Sequence, residues 1–169
     1  MLRTFGMKAA VFTFAGDFLK GVLAVSISRF ILKDIGMPFD IGYVAAIFVV
    51  LGHIFPIYFG FNGGKGVATA FGAMLMLNSL AFFTILVGLV PMLFIIRIVS
   101  AISLCGAAMY PVLIFVITYL SGENFWHVVI PNTFFSIIIS ALAFYAHREN
   151  IKRFRNGTER FFGDKNDEN

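Results

Sequence analysis

From Gly66 to Ile96 the chain runs for 31 residues without one charged side chain. As a single straight helix that stretch would measure about 46 Å at 1.5 Å per residue, well beyond a hydrocarbon core of roughly 30 Å. It must therefore lie in a membrane and must break, and Asn78-Ser79 is the one polar place for the chain to turn back. Composition agrees with a membrane setting. Of the 169 residues 59% are hydrophobic and only 13% charged, where soluble domains carry roughly 25%. The apolar segments fall at 8–31, 43–61, 66–78, 79–96, 98–120 and 126–146, and a polar tail follows from His147. No β-alternation supports a barrel. The expected fold is an all-α integral membrane helical bundle of about six segments, the third of them short. It divides into a transmembrane unit over 1–147 and a basic cytoplasmic tail over 148–169, whose end, GDKNDEN, has the composition of a disordered segment.

Charge placement predicts which ends share a membrane face. The net charge is +4, but the basic residues sit in short loops and the tail, where positive-inside bias and anionic lipid account for them, so nucleic-acid binding is set aside. Arg148, Lys152, Arg153, Arg155 and Arg160 put the C-terminus inside, and the 121–126 loop, free of Lys and Arg, goes outside with Trp126 at the interface. Counting spans backwards places Arg97, Lys65, Lys8 and Arg3 inside, on the face of His147. Arg29 and Lys33 then fall near an outer loop containing Asp34 and Asp40, and snorkelling is the expectation for them. The lone Cys105 offers neither a disulfide framework nor a metal cluster.

Polar residues in such a chain are the candidates for chemistry. The turn Gly63-Gly64-Lys65-Gly66 opens a helix. Its glycines let several N–H groups point one way, the helix N-terminus adds positive potential, and Lys65 supplies a full charge, a combination suited to a phosphate oxygen or to lipid headgroups. It is not a nucleotide-hydrolysing P-loop, because Phe59 and Gly66 stand where that pattern needs Gly and Ser or Thr. Arg97, Ser100 and Ser103 are spaced i, i+3, i+6 and are expected on one helix face, fit for a phosphate or for helix packing. Asp17 and Lys20 lie within a span as a paired i, i+3 set, read as structural. His53, one turn before Pro56, is within reach of the glycine turn or of a neighbouring carbonyl. His147 and Asn150 close the last span at the inner boundary, and Glu159 follows in the tail.

Taken together, GDFLKG near the start, GHIFPIYFGFNGGKGVATAFG over 52–72 and HRENIKRFRNGTE over 147–159 resemble the PlsY family of acyl-phosphate:glycerol-3-phosphate acyltransferases. The resemblance spans essentially the whole chain. It implies transfer of a fatty acyl group from acyl phosphate to the 1-hydroxyl of glycerol 3-phosphate, giving lysophosphatidic acid and phosphate, the first acylation of bacterial phospholipid synthesis. The setting it implies is a bacterial inner membrane, with the active site facing the cytoplasm and a functional link to an acyl-phosphate-forming enzyme. By the same resemblance Gly63, Gly64, Lys65, Gly66 and Thr69 form the glycerol 3-phosphate site, with His53 and Arg97 as further substrate contacts. Arg3, Ser100, Ser103, His147 and Asn150 stand near the reacting groups, and Glu159 is structural. No His is followed by Asp four residues on, the pattern of the other class of glycerol 3-phosphate acyltransferases.

An acyl phosphate is already activated, so such a site need only align two anionic substrates and stabilise charge on the carbonyl oxygen and leaving phosphate. Neither metal nor cofactor is called for, and the base is either His147 or a phosphate oxygen. Two departures from the family pattern carry expectations. Family members begin with another span, seven in all, and a first conserved region of which Leu2-Arg3-Thr4 is the part present, so the 169-residue form is expected to be weak or inactive. Asn62 stands where relatives commonly carry lysine, which is expected to raise the Michaelis constant. The alternative reading is a small membrane transporter of a phosphate-bearing anion. It needs polar groups at mid-membrane depth and a second gate, yet apart from Asp17 and Lys20 the polar residues gather at one face.

Overall fold

The computed structural model describes residues 2–37 and 39–159, the side chains of residues 2–5 and of Asp34 excepted. Its described residues form seven α-helices: α1 Leu2–Leu32, broken at Gly6; α2 Gly42–Ile54; α3 Val67–Leu77; α4 Ser79–Ile96; α5 Val99–Leu120; α6 Ile130–Ala146, entered through a π-turn over Phe125–Val129; and α7 Arg148–Arg155. Five stretches are long and apolar enough to cross a membrane: Gly6–Leu32, Gly42–Phe59, Ser79–Ile96, Val99–Leu120 and Phe125–Ala146. The sixth, α3, has 11 residues and rises about 16 Å, half of a hydrocarbon core. The break falls at Asn78 as expected. Its backbone is extended, and its side-chain oxygen accepts the Ala81 N–H at 2.9 Å, capping α4.

Large apolar side chains such as Phe12, Phe94 and Ile95 face outward, as a lipid-facing surface requires, while Val25, Ala46, Ala73, Ile85 and Ile114 are fully buried between helices. In lipid the hydrophobic effect does not drive helices together, so close packing and internal hydrogen bonds must. The tightest approach is between α1 and α3. A β-carbon on Gly21 would stand 2.1 Å from the Thr69 carbonyl oxygen, and one on Gly72 would stand 2.0 Å from that of Phe18. The two backbones touch, and only glycine fits at either point.

Arg29 corrects the expectation of snorkelling. Its guanidinium turns inward, pairs with the Asp40 carboxylate, and donates to the carbonyls of Met76 and Leu77 at the C-terminal end of α3. Asp40 also accepts the Gly42 N–H at 2.9 Å, at the start of α2. The physical reason is the shortness of α3. Its last carbonyls lack intrahelical donors and carry the negative end of the helix dipole, and a guanidinium satisfies both needs.

Gly72→Ala should therefore lower the thermal unfolding temperature of the detergent-solubilised protein, by an overpacking cost of about 1–3 kcal/mol or more. Gly88→Ala, in α4 where a β-carbon meets nothing within 4 Å, should leave it unchanged. Arg29→Ala should cost about 1–3 kcal/mol through the carbonyls and carboxylate left unpaired.

Candidate active site

The chain leaves α2 at Ile54 and folds back through a turn over Ile57–Phe59 before entering α3. Two backbone bonds pin the glycine turn to the end of α2: Gly63 N–H to the Ile54 carbonyl and Gly64 N–H to the His53 carbonyl, both at 3.2 Å. A β-carbon at Gly63 would sit 2.1 Å from the His53 carbonyl oxygen, so the close approach depends on glycine there. Gly66 adopts φ 73, the left-handed region that glycine tolerates, and turns the chain into α3. The first N–H groups of α3, at Val67 and Ala68, have no intrahelical acceptor, and both residues line a cavity of about 560 Å³.

Other parts of the chain complete that cavity. α1 gives Phe14 and Asp17, α2 gives His53, the turn gives Gly64, Lys65 and Gly66, and the far wall brings Ser100 and Ser103 of α5 together with His147, Asn150 and Glu159. Lys65 makes no salt bridge among the described residues. Partial desolvation holds its ammonium below the ordinary lysine value; Glu159 opposes this shift and Arg153 adds to it. His147, 1% exposed, donates Nδ1–H to the Ala143 carbonyl at 2.8 Å. That bond leaves Nε2 of the neutral ring as an acceptor. Burial keeps the imidazole below its ordinary value; the Ala143 bond opposes this shift and Lys65 adds to it, which favours the neutral ring.

Glu159 ties the tail to the bundle. It accepts from Ser100 Oγ and Asn150 Nδ2, each at 2.6 Å, and from Arg153 Nε at 3.0 Å. Burial alone would raise its carboxyl, but these three donors outweigh it and hold the group below the usual carboxylate range. Arg153, counted from the sequence only among the basic residues of the tail, is part of this anchor. Asn150 and Glu159 of the tail thus line one side of the cavity.

A second, apolar cavity of about 400 Å³ adjoins the first and shares Phe14, Val67, Val99 and Ser103 with it. It runs along α4 from Leu93 to Phe82 and is walled by Phe18 and Phe71. Sequence reading did not single out this groove, since its residues look like any lipid-facing helix. Ser103 lies where the two cavities meet and also lines a small gap of about 40 Å³ beside Tyr110 and His147.

The sequence-predicted set is therefore largely assembled in one place, with exceptions. Arg97 is a correction: α5 begins only at Val99, and Arg97 caps α4 in a left-handed conformation (φ 57), exposed and off the helical face of Ser100 and Ser103. The polypeptide turns sharply between α4 and α5, and that turn breaks the i, i+3, i+6 register. Thr69 is fully buried and faces His53, 3.3 Å from its Nδ1, rather than the cavity. Asp17 and Lys20 do pair, at 2.7 Å, yet Asp17 also lines the cavity. The Asn62 side chain donates to the Gly60 carbonyl at 3.1 Å, within its own turn. The side chain of Arg3, Arg160 and residues 163–169 lie outside the described residues.

The family model described as glycerol-3-phosphate acyltransferase matches residues 1–157. The chain belongs to that family. It is 39% identical to the glycerol-3-phosphate acyltransferase of Clostridioides difficile (strain 630), over 98% of this chain and 76% of the relative. It is 37% identical to that of Alkaliphilus metalliredigens (strain QYMF), over the same shares. A crystal structure of PlsY (YgiH), an integral membrane glycerol 3-phosphate acyltransferase in its glycerol 3-phosphate form, superposes with a TM-score of 0.76 at 33% identity, over 96% of this chain and 75% of that one. The lysophosphatidic acid form of PlsY gives a TM-score of 0.76 at 32% identity, over 96% and 76%. The protein is thus a multi-pass membrane acyltransferase of the glycerol-3-phosphate acyltransferase family.

The Glu159 anchor has a pH signature. A carboxyl held below its unfolded value stabilises above that value and loses the effect as pH falls through the folded one. Hydrogen-exchange protection of the Ile151–Gly157 amides should hold from pH 8 down to the ordinary glutamate value of about 4.3 and fail only below it. Glu159→Ala should show the unprotected pattern at pH 7.

Proposed function

We propose that this acyltransferase moves a fatty acyl group from acyl phosphate to the 1-hydroxyl of glycerol 3-phosphate, with the polar cavity opening to the bacterial cytoplasm. The observation that carries the reading is the union of two cavities at Ser103: a polar one with Lys65 and the α3 N-terminus, and an apolar one running down α4. From Leu93 to Phe82 is about 16 Å of helix, half of a hydrocarbon core and so the depth of one leaflet. An acyl chain lies in the groove, its head at Ser103, and the phosphate of glycerol 3-phosphate lies in the glycine turn against Lys65 and the Val67 and Ala68 N–H groups.

In the reaction the glycerol 1-oxygen attacks the carbonyl carbon, a new ester C–O bond forms, and the C–O bond to phosphate breaks. His147 Nε2 takes the hydroxyl proton, since Nδ1–H is committed to Ala143. Phosphate leaves towards the cation at Lys65. Asn150 and Ser100 act through Glu159, holding the wall that carries His147. The donor comes from an acyl-phosphate-forming enzyme.

Whatever turnover the purified protein gives with glycerol 3-phosphate should come from palmitoyl phosphate and not from acyl-CoA or acyl-carrier protein; use of a thioester donor would overturn the assignment. His147→Gln should lower kcat by about 10²- to 10⁴-fold. The acid limb of kcat/KM should lie below the ordinary imidazole value of about 6.5, because the base is lost as pH falls through a depressed pKa. That limb should vanish in His147→Gln, which separates it from titration of substrate phosphate, and persist in Lys65→Ala. Were a phosphate oxygen the base, His147→Gln would leave the limb in place. Lys65→Ala should raise KM for glycerol 3-phosphate and abolish an alkaline limb lying below the ordinary lysine value.

A further inference from the structure

Behind the glycine turn, side chains from three helices converge on one ring nitrogen. Lys20 Nζ lies 2.6 Å from His53 Nδ1 and 2.7 Å from Asp17 Oδ1. Thr69 Oγ1 is 3.3 Å from the same Nδ1, and Asp17 Oδ1 is 3.4 Å from it. An ammonium has three donors and no acceptor, so at this distance Nδ1 must accept. A neutral imidazole then carries its single proton on Nε2. That nitrogen abuts the glycine turn: a β-carbon built on Gly64 would stand 2.3 Å from it, and His53 and Gly64 both line the polar cavity.

We propose that Lys20, steadied by Asp17, fixes His53 in the Nε2–H tautomer, so that a neutral ring donates a hydrogen bond to the substrate phosphate in the glycine turn. The inference rests on the proposed seat of that phosphate and goes beyond it by giving Lys20 and Asp17 a positioning role. Without Lys20, the Thr69 hydroxyl and the Asp17 carboxylate, at 3.3 and 3.4 Å, are left to accept a proton on Nδ1. The ring would then turn its donor away from the cavity or become charged. A charged ring would hold substrate and product phosphate alike more tightly, and uniform tightening does not speed the chemical step. A neutral, directed donor orients the phosphate without adding a second cation beside Lys65.

The test uses the full chain in lipid nanodiscs with ¹⁵N-labelled histidine, His53→Gln identifying the His53 signals. Wild-type His53 should show a protonated Nε2 and an unprotonated Nδ1. Lys20→Met should shift the proton to Nδ1, and should raise KM for glycerol 3-phosphate about 10- to 100-fold, the range of a hydrogen bond to a charged group, with kcat within a few-fold. Lys20→Arg, again a donor-only cation, should restore both signals. A wild-type proton on Nδ1 overturns the proposal, as does a Lys20→Met protein whose tautomer and KM are unchanged. Failure of the underlying reading shows separately, as a Lys65→Ala protein with unaltered KM.

Discussion

Two glycines decide where the chemistry can be. Gly21 and Gly72 let α1 and α3 meet backbone to backbone, and α3 is too short to reach both faces of a membrane by itself. Its depth is set by this contact and by Arg29 at its far end. Carbonyls ending inside a bilayer would each cost several kcal/mol if left without donors, and Arg29 supplies the donors for Met76 and Leu77. With its C-terminus clamped and its flank wedged on α1, α3 presents its free N–H groups at one place, beside Lys65. Any side chain at either glycine would push that N-terminus away from His53 and the α5 wall.

The far wall shows how a segment of ordinary polar composition becomes part of a membrane enzyme. Glu159 lies 59 residues from Ser100 and accepts a bond from it. It collects two more donors from α7, and so carries Asn150 and the helix that follows His147 onto the bundle. His147 sits at the junction of α6 and α7, its ring steered by the Ala143 carbonyl one turn back. The tautomer of this histidine is set by a backbone acceptor, that of His53 by a lysine, and the two rings consequently offer opposite faces to the cavity: an acceptor from His147, a donor from His53.

Much of this was legible in the linear sequence. Apolar run lengths gave the helices, because a span must match a hydrocarbon core, and one asparagine in 31 uncharged residues gave the break. The glycine turn was legible because its chemistry is local. Arg29, Arg153 and the apolar groove were not. Each depends on which face of one helix meets which face of another, and in a chain apolar all round the periodicity carries little of that information. Arg97 was misplaced for a related reason: helical spacing was extended across a turn that the residue itself forms in the left-handed region.

The charges around the cavity are mostly answered within the protein. Asp17 pairs with Lys20, Glu159 with Arg153, and, at the other end of the bundle, Arg29 with Asp40. Buried charges need such partners in a low-dielectric setting, but the pairing also shapes turnover. The acceptor substrate keeps its phosphate through the reaction, so a cavity rich in uncompensated cations would hold lysophosphatidic acid as firmly as glycerol 3-phosphate. With Lys65 carrying no salt bridge among the described residues, and the remaining donors being the neutral N–H groups of α3 and the neutral ring of His53, the site proposed for the phosphate would orient it more than grip it. In the proposed reaction binding energy is then free to favour the charge that develops at the carbonyl and the leaving phosphate, where it alters the rate.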